Sequence, residues 1–154
     1  MIESDLYLPI KKDIYQTLKE AGCEGLHIEI TANNSFSNLL RKKFGEVLSL
    51  LDKSFSPDLS GLYHKNGEKK IILEVKKEKI TIQNIYQTIS YQELIDADIG
   101  LLVSPEEIPL QIKKFLNKHQ RILQDKKRNI FIIKFDKIGE KILESSWYPF
   151  QPSF

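Results

Sequence analysis

One segment narrows the fold more than any other: Ser56 to Lys77, SPDLSGLYHKNGEKKIILEVKK. Asn66-Gly67 lies between two apolar runs, and this dipeptide is the strongest short-range signal for a β-hairpin, because both residues tolerate the positive φ a tight turn demands. Along the second arm, KKIILEVKK, side chains alternate between faces, so Ile71, Leu73 and Val75 point one way and Ile72, Glu74 and Lys76 the other. The first face is wholly apolar. The second starts apolar and turns charged at its C-terminal end. An unpaired carboxylate or ammonium is costly to bury, so that end must open on solvent, pair internally or hold a cation.

Asp58 is the natural third member of this group, because the hairpin folds its arm back beside Glu74. Two carboxylates at the mouth of a cleft make a hard, all-oxygen site suited to Mg²⁺ or Mn²⁺. Lys76 beside them can hold a phosphate or orient an attacking water. The register decides whether the group forms. A two-residue turn at Asn66-Gly67 sets Asp58 opposite Val75 and therefore on the wrong face. A three-residue turn with Gly67 in the left-handed conformation, or a bulge at Ser60-Gly61, sets Asp58 against Glu74 instead.

The rest of the chain reads as helices and strands in alternation. Residues 4–20 carry Leu6, Ile10, Ile14 and Leu18 at helical spacing, with Ser4 or Asp5 as cap. GLHIEI (25–30) alternates as a strand, and 37–51 is a second helix with Leu40, Phe44, Val47, Leu48 and Leu51 on one side. After the hairpin come a helix at 81–96, a strand at 98–104, a helix from about 108 to 125 and a strand at 129–135. The fold class is α/β: a mixed sheet flanked by helices, with one antiparallel hairpin inside it. With 154 residues, no repeat and no linker, the chain reads as a single domain over 1–154.

Composition sets the outer limits. Apolar residues make up 41% and charged residues 29%, which describes a globular chain and not a disordered one. No apolar run approaches the ~20 residues of a membrane span, and the opening MIESDLYLPIKK lacks a signal peptide's apolar stretch. The lone Cys23 excludes an internal disulfide and a cysteine zinc cage, so the cytosol is the expected compartment. His27, His64 and His119 fall on three elements without ligand spacing. Net charge is only +2, yet basic clusters recur at Arg41-Lys42-Lys43, Lys69-Lys70, Lys76-Lys77-Lys79, Lys113-Lys114 and Lys126-Lys127-Arg128. No Gly-rich phosphate loop or serine nucleophile elbow is present.

Pro57-Asp58, fifteen intervening residues and then Glu74-Val75-Lys76 resemble the PD-(D/E)xK motif of the restriction-endonuclease-like nucleases. The core implied by that resemblance is αβββαβ: here the helix at 4–20, strands at 26–30, 58–64 and 70–76, the helix at 81–96 and the strand at 98–104. The helix at 37–51 would be an insertion, the core would span 3–104, and 105–154 would be a C-terminal extension. In the helix after the motif, QTISY places Gln87 and Tyr91 one turn apart, similar to the QxxxY motif of RecB and lambda-exonuclease type nucleases. A further acid usually comes from the first helix. Glu3 and Glu20 are candidates there and Glu29 on the first strand is another, with ESDLYLP resembling the openings of some bacterial nuclease-like proteins and favouring Glu3.

The resemblance implies a Mg²⁺- or Mn²⁺-dependent nuclease. Asp58, Glu74 and the Val75 carbonyl would be the metal ligands, Lys76 the water-positioning or charge-stabilising group, and Glu3, Gln87 and Tyr91 supporting site residues. The expected partner is nucleic acid, duplex or branched DNA, held by Lys42, Lys43, Lys77 and Lys79 with strong salt dependence. A homodimer would match a substrate with two strands. The aromatic tail SSWYPFQPSF either stacks bases, docks a protein partner or packs back on its own domain. Two other classes stay open: a silent nuclease-fold module that binds nucleic acid or protein without cutting, and a structural domain whose Glu74 and Lys76 merely pair.

Overall fold

A computed structural model describes residues 2–154. Four α-helices, α1 (Tyr7–Glu20), α2 (Asn38–Phe44), α3 (Ile82–Ile95) and α4 (Leu110–Lys118), enclose seven strands: β1 (Glu24–Ile30), β2 (Leu59–His64), β3 (Glu68–Val75), β4 (Ile99–Ser104), β5 (Gln124–Asp125), β6 (Arg128–Asp136) and β7 (Lys141–Ile142). They form one mixed sheet in the order β1-β2-β3-β4-β6-β5, with β7 also on β6. β2 runs antiparallel to both its neighbours, β1 and β3, whereas β3, β4 and β6 are parallel. The chain is thus an α/β protein whose sheet is covered on both sides.

Burial explains the layering. On one side Ile10, Ile14 and Leu18 of α1 pack on Leu59, Ile71, Leu73, Val75, Leu101 and Val103. On the other, Leu40 and Phe44 of α2 join Ile72, Tyr91 and Ile95, while Ile85 and Ile89 of α3 and Leu116 of α4 cover Leu102, Ile130 and Ile132. The central strands β3 and β4 are therefore apolar on both faces, as strands buried between helices must be. Gly100 permits the tight spacing: a Cβ there would stand 2.7 Å from Ile130 Cδ1 and 3.2 Å from Ile72 Cδ1.

Several boundaries differ from the sequence expectation. α1 starts at Tyr7, after a 3₁₀ turn over Glu3–Leu6. Neither Ser4 nor Asp5 caps it; the Asp5 carboxylate accepts the Ile2 N–H instead, at 2.9 Å. The expected helix at 37–51 breaks at Gly45, whose φ of 82° is left-handed, and continues as a 3₁₀ segment, Gly45–Leu50. Its apolar stripe survives the break, since Leu40, Phe44, Leu48 and Leu51 are all buried. Ser37 does cap α2, accepting the Leu40 N–H. The last helix stops at Lys118, and β5 and β7 were too short to show any alternation.

The aromatic tail packs back on its own domain. Trp147 is buried edge-to-face on Phe131, Phe154 packs on Trp147, and Phe150 reaches Phe131. Tyr148 exchanges two backbone hydrogen bonds with Ile132, both 2.9 Å, and so lines the outer edge of β6. Trp147 and Tyr148 are spent on the fold, which is the packing-back alternative among the three that the sequence left open. Among the described residues no helix is long and apolar enough to cross a membrane.

Candidate active site

The hairpin turn has three residues, Lys65-Asn66-Gly67, not the tight pair that Asn-Gly suggests. Asn66 (φ 55°) and Gly67 (φ 110°) both take positive φ, the requirement that selected them. The register follows. Leu59 faces Leu73 and Ser60 faces Ile72 without a bulge, so the next residue back, Asp58, stands opposite Glu74 on the same face. At this level the backbone of each points away from the other: Thr31 N–H and Ala32 N–H donate to the Asp58 carbonyl from the β1 side, and Lys76 N–H donates to Val103 on β4. Positions of that kind bring facing side chains closest together.

The two carboxylates sit in opposite states. Asp58 is held at both oxygens: Tyr7 donates its hydroxyl to Oδ1 at 2.8 Å and Val75 donates its N–H to Oδ2 at 2.7 Å. Glu74 is 3% exposed, and its Oε1 has no hydrogen-bond partner. Its Oε2 lies 3.7 Å from Lys76 Nζ. Burial, then a hydrogen bond and the negative charge of Asp58, push the Glu74 carboxyl up to about 9 against the pull of Lys76. Two negative charges side by side are therefore disfavoured in the metal-free site, and the pair as a unit holds on to a proton.

This arrangement fits a divalent cation. A buried acceptor with no donor is a costly vacancy, and a cation would satisfy it while displacing the proton. The donor set is all oxygen: Glu74 Oε1, the remaining lone pairs of Asp58, and the Val75 carbonyl, which projects to the same strand edge as the Val75 N–H. No group of three or more His, Cys, Asp or Glu side chains is arranged around a metal position among the described residues. Two carboxylates nonetheless suit Mg²⁺, which dehydrates reluctantly and is commonly held by one or two carboxylates plus water and phosphate oxygens.

Around the pair the structure gathers some expected residues and leaves others out. Glu3 belongs: burial raises its carboxyl, the charges of Lys76 and Asp58 act on it in opposite senses, and it lies against the Lys77 backbone. Glu20 is at the other end of α1 with Gln16 donating to it, and Glu29 accepts the Ser37 N–H at the start of α2. Gln87 Nε2 donates to the Tyr91 hydroxyl at 2.8 Å. Tyr91 is buried, and burial together with the Glu74 charge holds its hydroxyl protonated, so that proton remains to be donated. Gln83 is exposed and Ser90 bonds back to Tyr86, so neither joins the site.

The lysines divide as well. Lys77 and Lys79 are exposed directly beyond β3, beside the acids. Lys43 does not stand with them. It pairs with Glu68 at 2.9 Å, at the start of β3, and about 20 Å of extended strand separates Glu68 from Glu74. That placement removes Lys43 from the surface around the acid pair, while Lys42 is exposed on the same helix, α2. A surface cavity of about 480 Å³ lined by Gln92, Asp98 and Asn129 lies at the opposite end of the sheet. Its Asp98 is occupied by the Lys70 N–H.

Sequence reasoning missed Tyr7 and the polar bed under Asp58. Thr31 Oγ1 donates to the Pro57 carbonyl at 2.8 Å and meets Ser60 Oγ, while Ser56 Oγ donates to the Thr31 carbonyl. Tyr7 had a signal: it follows Glu3 by four residues, one helical turn, and so shares its face. Thr31 and Ser60 had none, since their pairing exists only once β1 and β2 are in register. No family model matches the chain, and neither does any curated protein or solved structure.

Proposed function

We propose that this protein is a metal-dependent nuclease that hydrolyses phosphodiester bonds in DNA. One observation carries the proposal: Asp58 and a buried Glu74 with an unpartnered oxygen stand side by side at the end of β3, with the Lys76 ammonium 3.7 Å away. The run α1, β1, β2, β3, α3, β4, with its acids at the β2–β3 hairpin, supports a restriction-endonuclease-like core, and α2 would be its insertion.

Asp58, Glu74 and the Val75 carbonyl would hold Mg²⁺ or Mn²⁺. Bound there, the ion supplies Lewis-acid neutralisation of the phosphate and an acidified water. The chain's own groups do the rest. Lys76, one-quarter exposed with its ammonium 3.7 Å from Glu74, would meet a phosphate oxygen and stabilise charge building on it. Tyr91, braced by Gln87 and close enough to feel the charge of Glu74, keeps its hydroxyl proton and would donate it within the site. Glu3 flanks Lys76 and Asp58 and would fix the ammonium or take up a proton from the attacking water. Lys77 and Lys79 would track the DNA backbone. Duplex or branched DNA, cut by structure or at ends, would be the substrate, and a homodimer would address both strands.

The test is cleavage of labelled linear, circular and branched DNA with Mg²⁺, Mn²⁺ or EDTA, beside the Glu74→Ala variant. Metal-dependent cutting that the variant lacks is the expected result. Binding without cutting in every condition would replace the nuclease with a silent binding module, and cutting that persists in Glu74→Ala would remove Glu74 from the chemistry.

A further inference from the structure

The two acids of the site are held very differently, and the difference points to a residue with no role so far. A carboxylate turns about its last torsion in a broad two-fold well, so a single hydrogen bond leaves its oxygens imprecisely placed. Asp58 has its backbone pinned by Thr31 N–H and Ala32 N–H on its carbonyl, at 2.9 and 3.2 Å. Its side chain is then fixed by two donors from separate elements, Val75 N–H of β3 and Tyr7 O–H of α1. Each donor takes one lone pair on a different oxygen and leaves the other free. The Tyr7 ring is half-buried and packs on the core beneath α1, so the phenol arrives from a rigid base. Glu74, by contrast, receives no donor at Oε1.

Granted the nuclease assignment above, on which this rests, we propose that Tyr7 is a positioning residue: its hydroxyl locks the Asp58 carboxylate in the orientation that receives the metal ion. Asp58 is the preset ligand and Glu74 the one that adjusts. The start of the chain thus contributes to the site twice, through Tyr7 at the first turn of α1 and through Glu3 in the 3₁₀ turn before it. Partners of this kind, one step removed from the metal, typically carry about 10- to 100-fold in affinity or activity.

The experiment compares wild type, Tyr7→Phe, Tyr15→Phe and Glu74→Gln. Tyr15 is on the same helix with an exposed ring and serves as the control for loss of a phenol. Mn²⁺ affinity is measured by calorimetry and the metal dependence of DNA cleavage by steady-state kinetics, at a temperature where circular dichroism shows all four folded. Tyr7→Phe is expected to bind Mn²⁺ about 10- to 100-fold more weakly and to need correspondingly more metal for half-maximal rate. Its KM for DNA should stay at the wild-type value, a split that a general loosening of the fold would not give. Wild-type Mn²⁺ affinity in Tyr7→Phe, or an equal loss in Tyr15→Phe, overturns the positioning role while leaving the metal site standing. Wild type and Glu74→Gln that both take up no Mn²⁺ overturn the metal site itself, and the role of Tyr7 with it.

Discussion

Replacing Glu74 with glutamine should make the metal-free protein more stable at alkaline pH, although it removes a residue of the site. Glu74 titrates near its ordinary value of 4.5 in the unfolded chain and at about 9 in the fold, pushed up by burial and by Asp58. Between those values the folded state holds a proton that the unfolded state has released, so folding binds protons and stability falls as pH rises. The slope for one such group is about 1.4 kcal/mol per pH unit. From pH 6 to pH 8 the wild type should therefore lose about 3 kcal/mol relative to Glu74→Gln, whose amide does not titrate. For a chain of this size that is a divergence of about 6 to 12 °C in Tm. Urea denaturation in EDTA at pH 6, 7 and 8 measures it. A Mn²⁺ concentration of about 100 Kd should then return about 2.7 kcal/mol to the wild type and none to the variant. A wild-type-minus-variant difference that stays constant with pH would refute the reasoning, because it would mean that Glu74 is already ionised in the metal-free fold.

Lys76→Ala should separate metal binding from turnover: cleavage falls about 100-fold or more with the loss of a charge aimed at the phosphate, while Mn²⁺ affinity measured by calorimetry is kept or improved, since a cation 3.7 Å from Glu74 has gone. Lys77→Ala with Lys79→Ala should weaken DNA binding and lower the slope of log K against log salt by about one per lysine, whereas Lys43→Ala, which breaks the distant pair with Glu68, leaves that slope unchanged in the same fluorescence titration. Trp147→Ala should cost about 3 to 5 kcal/mol in urea denaturation by opening a cavity against Phe131, and a tail that merely flapped in solvent would lose almost nothing.

The parts legible in the sequence were those written in a short period. β3 shows two apolar faces and a charged end in its own residues, and α3 carries Gln87 and Tyr91 one turn apart, so both elements and their faces follow from spacing alone. The pairing of Asp58 with Glu74 was legible only as a condition. It hung on one residue of turn length, which Asn-Gly does not fix when the residue before it can join the loop. The break at Gly45 was hidden because the apolar stripe runs through it. Tail docking on Phe131 and the bed of Thr31, Ser56 and Ser60 depend on contacts between residues remote in sequence, which no local pattern records. Lys43 shows the same limit: a basic cluster announces charge, and only the fold reveals that Glu68 meets it at the far end of the strand.

The most direct measurement is anomalous diffraction at the manganese edge from crystals equilibrated with MnCl₂ near neutral pH. A peak between Asp58 and Glu74, within about 2.3 Å of Glu74 Oε1 and an Asp58 oxygen, is the result the account predicts. A site left without a peak while the two side chains keep their present positions, or a peak only elsewhere on the molecule, would contradict it.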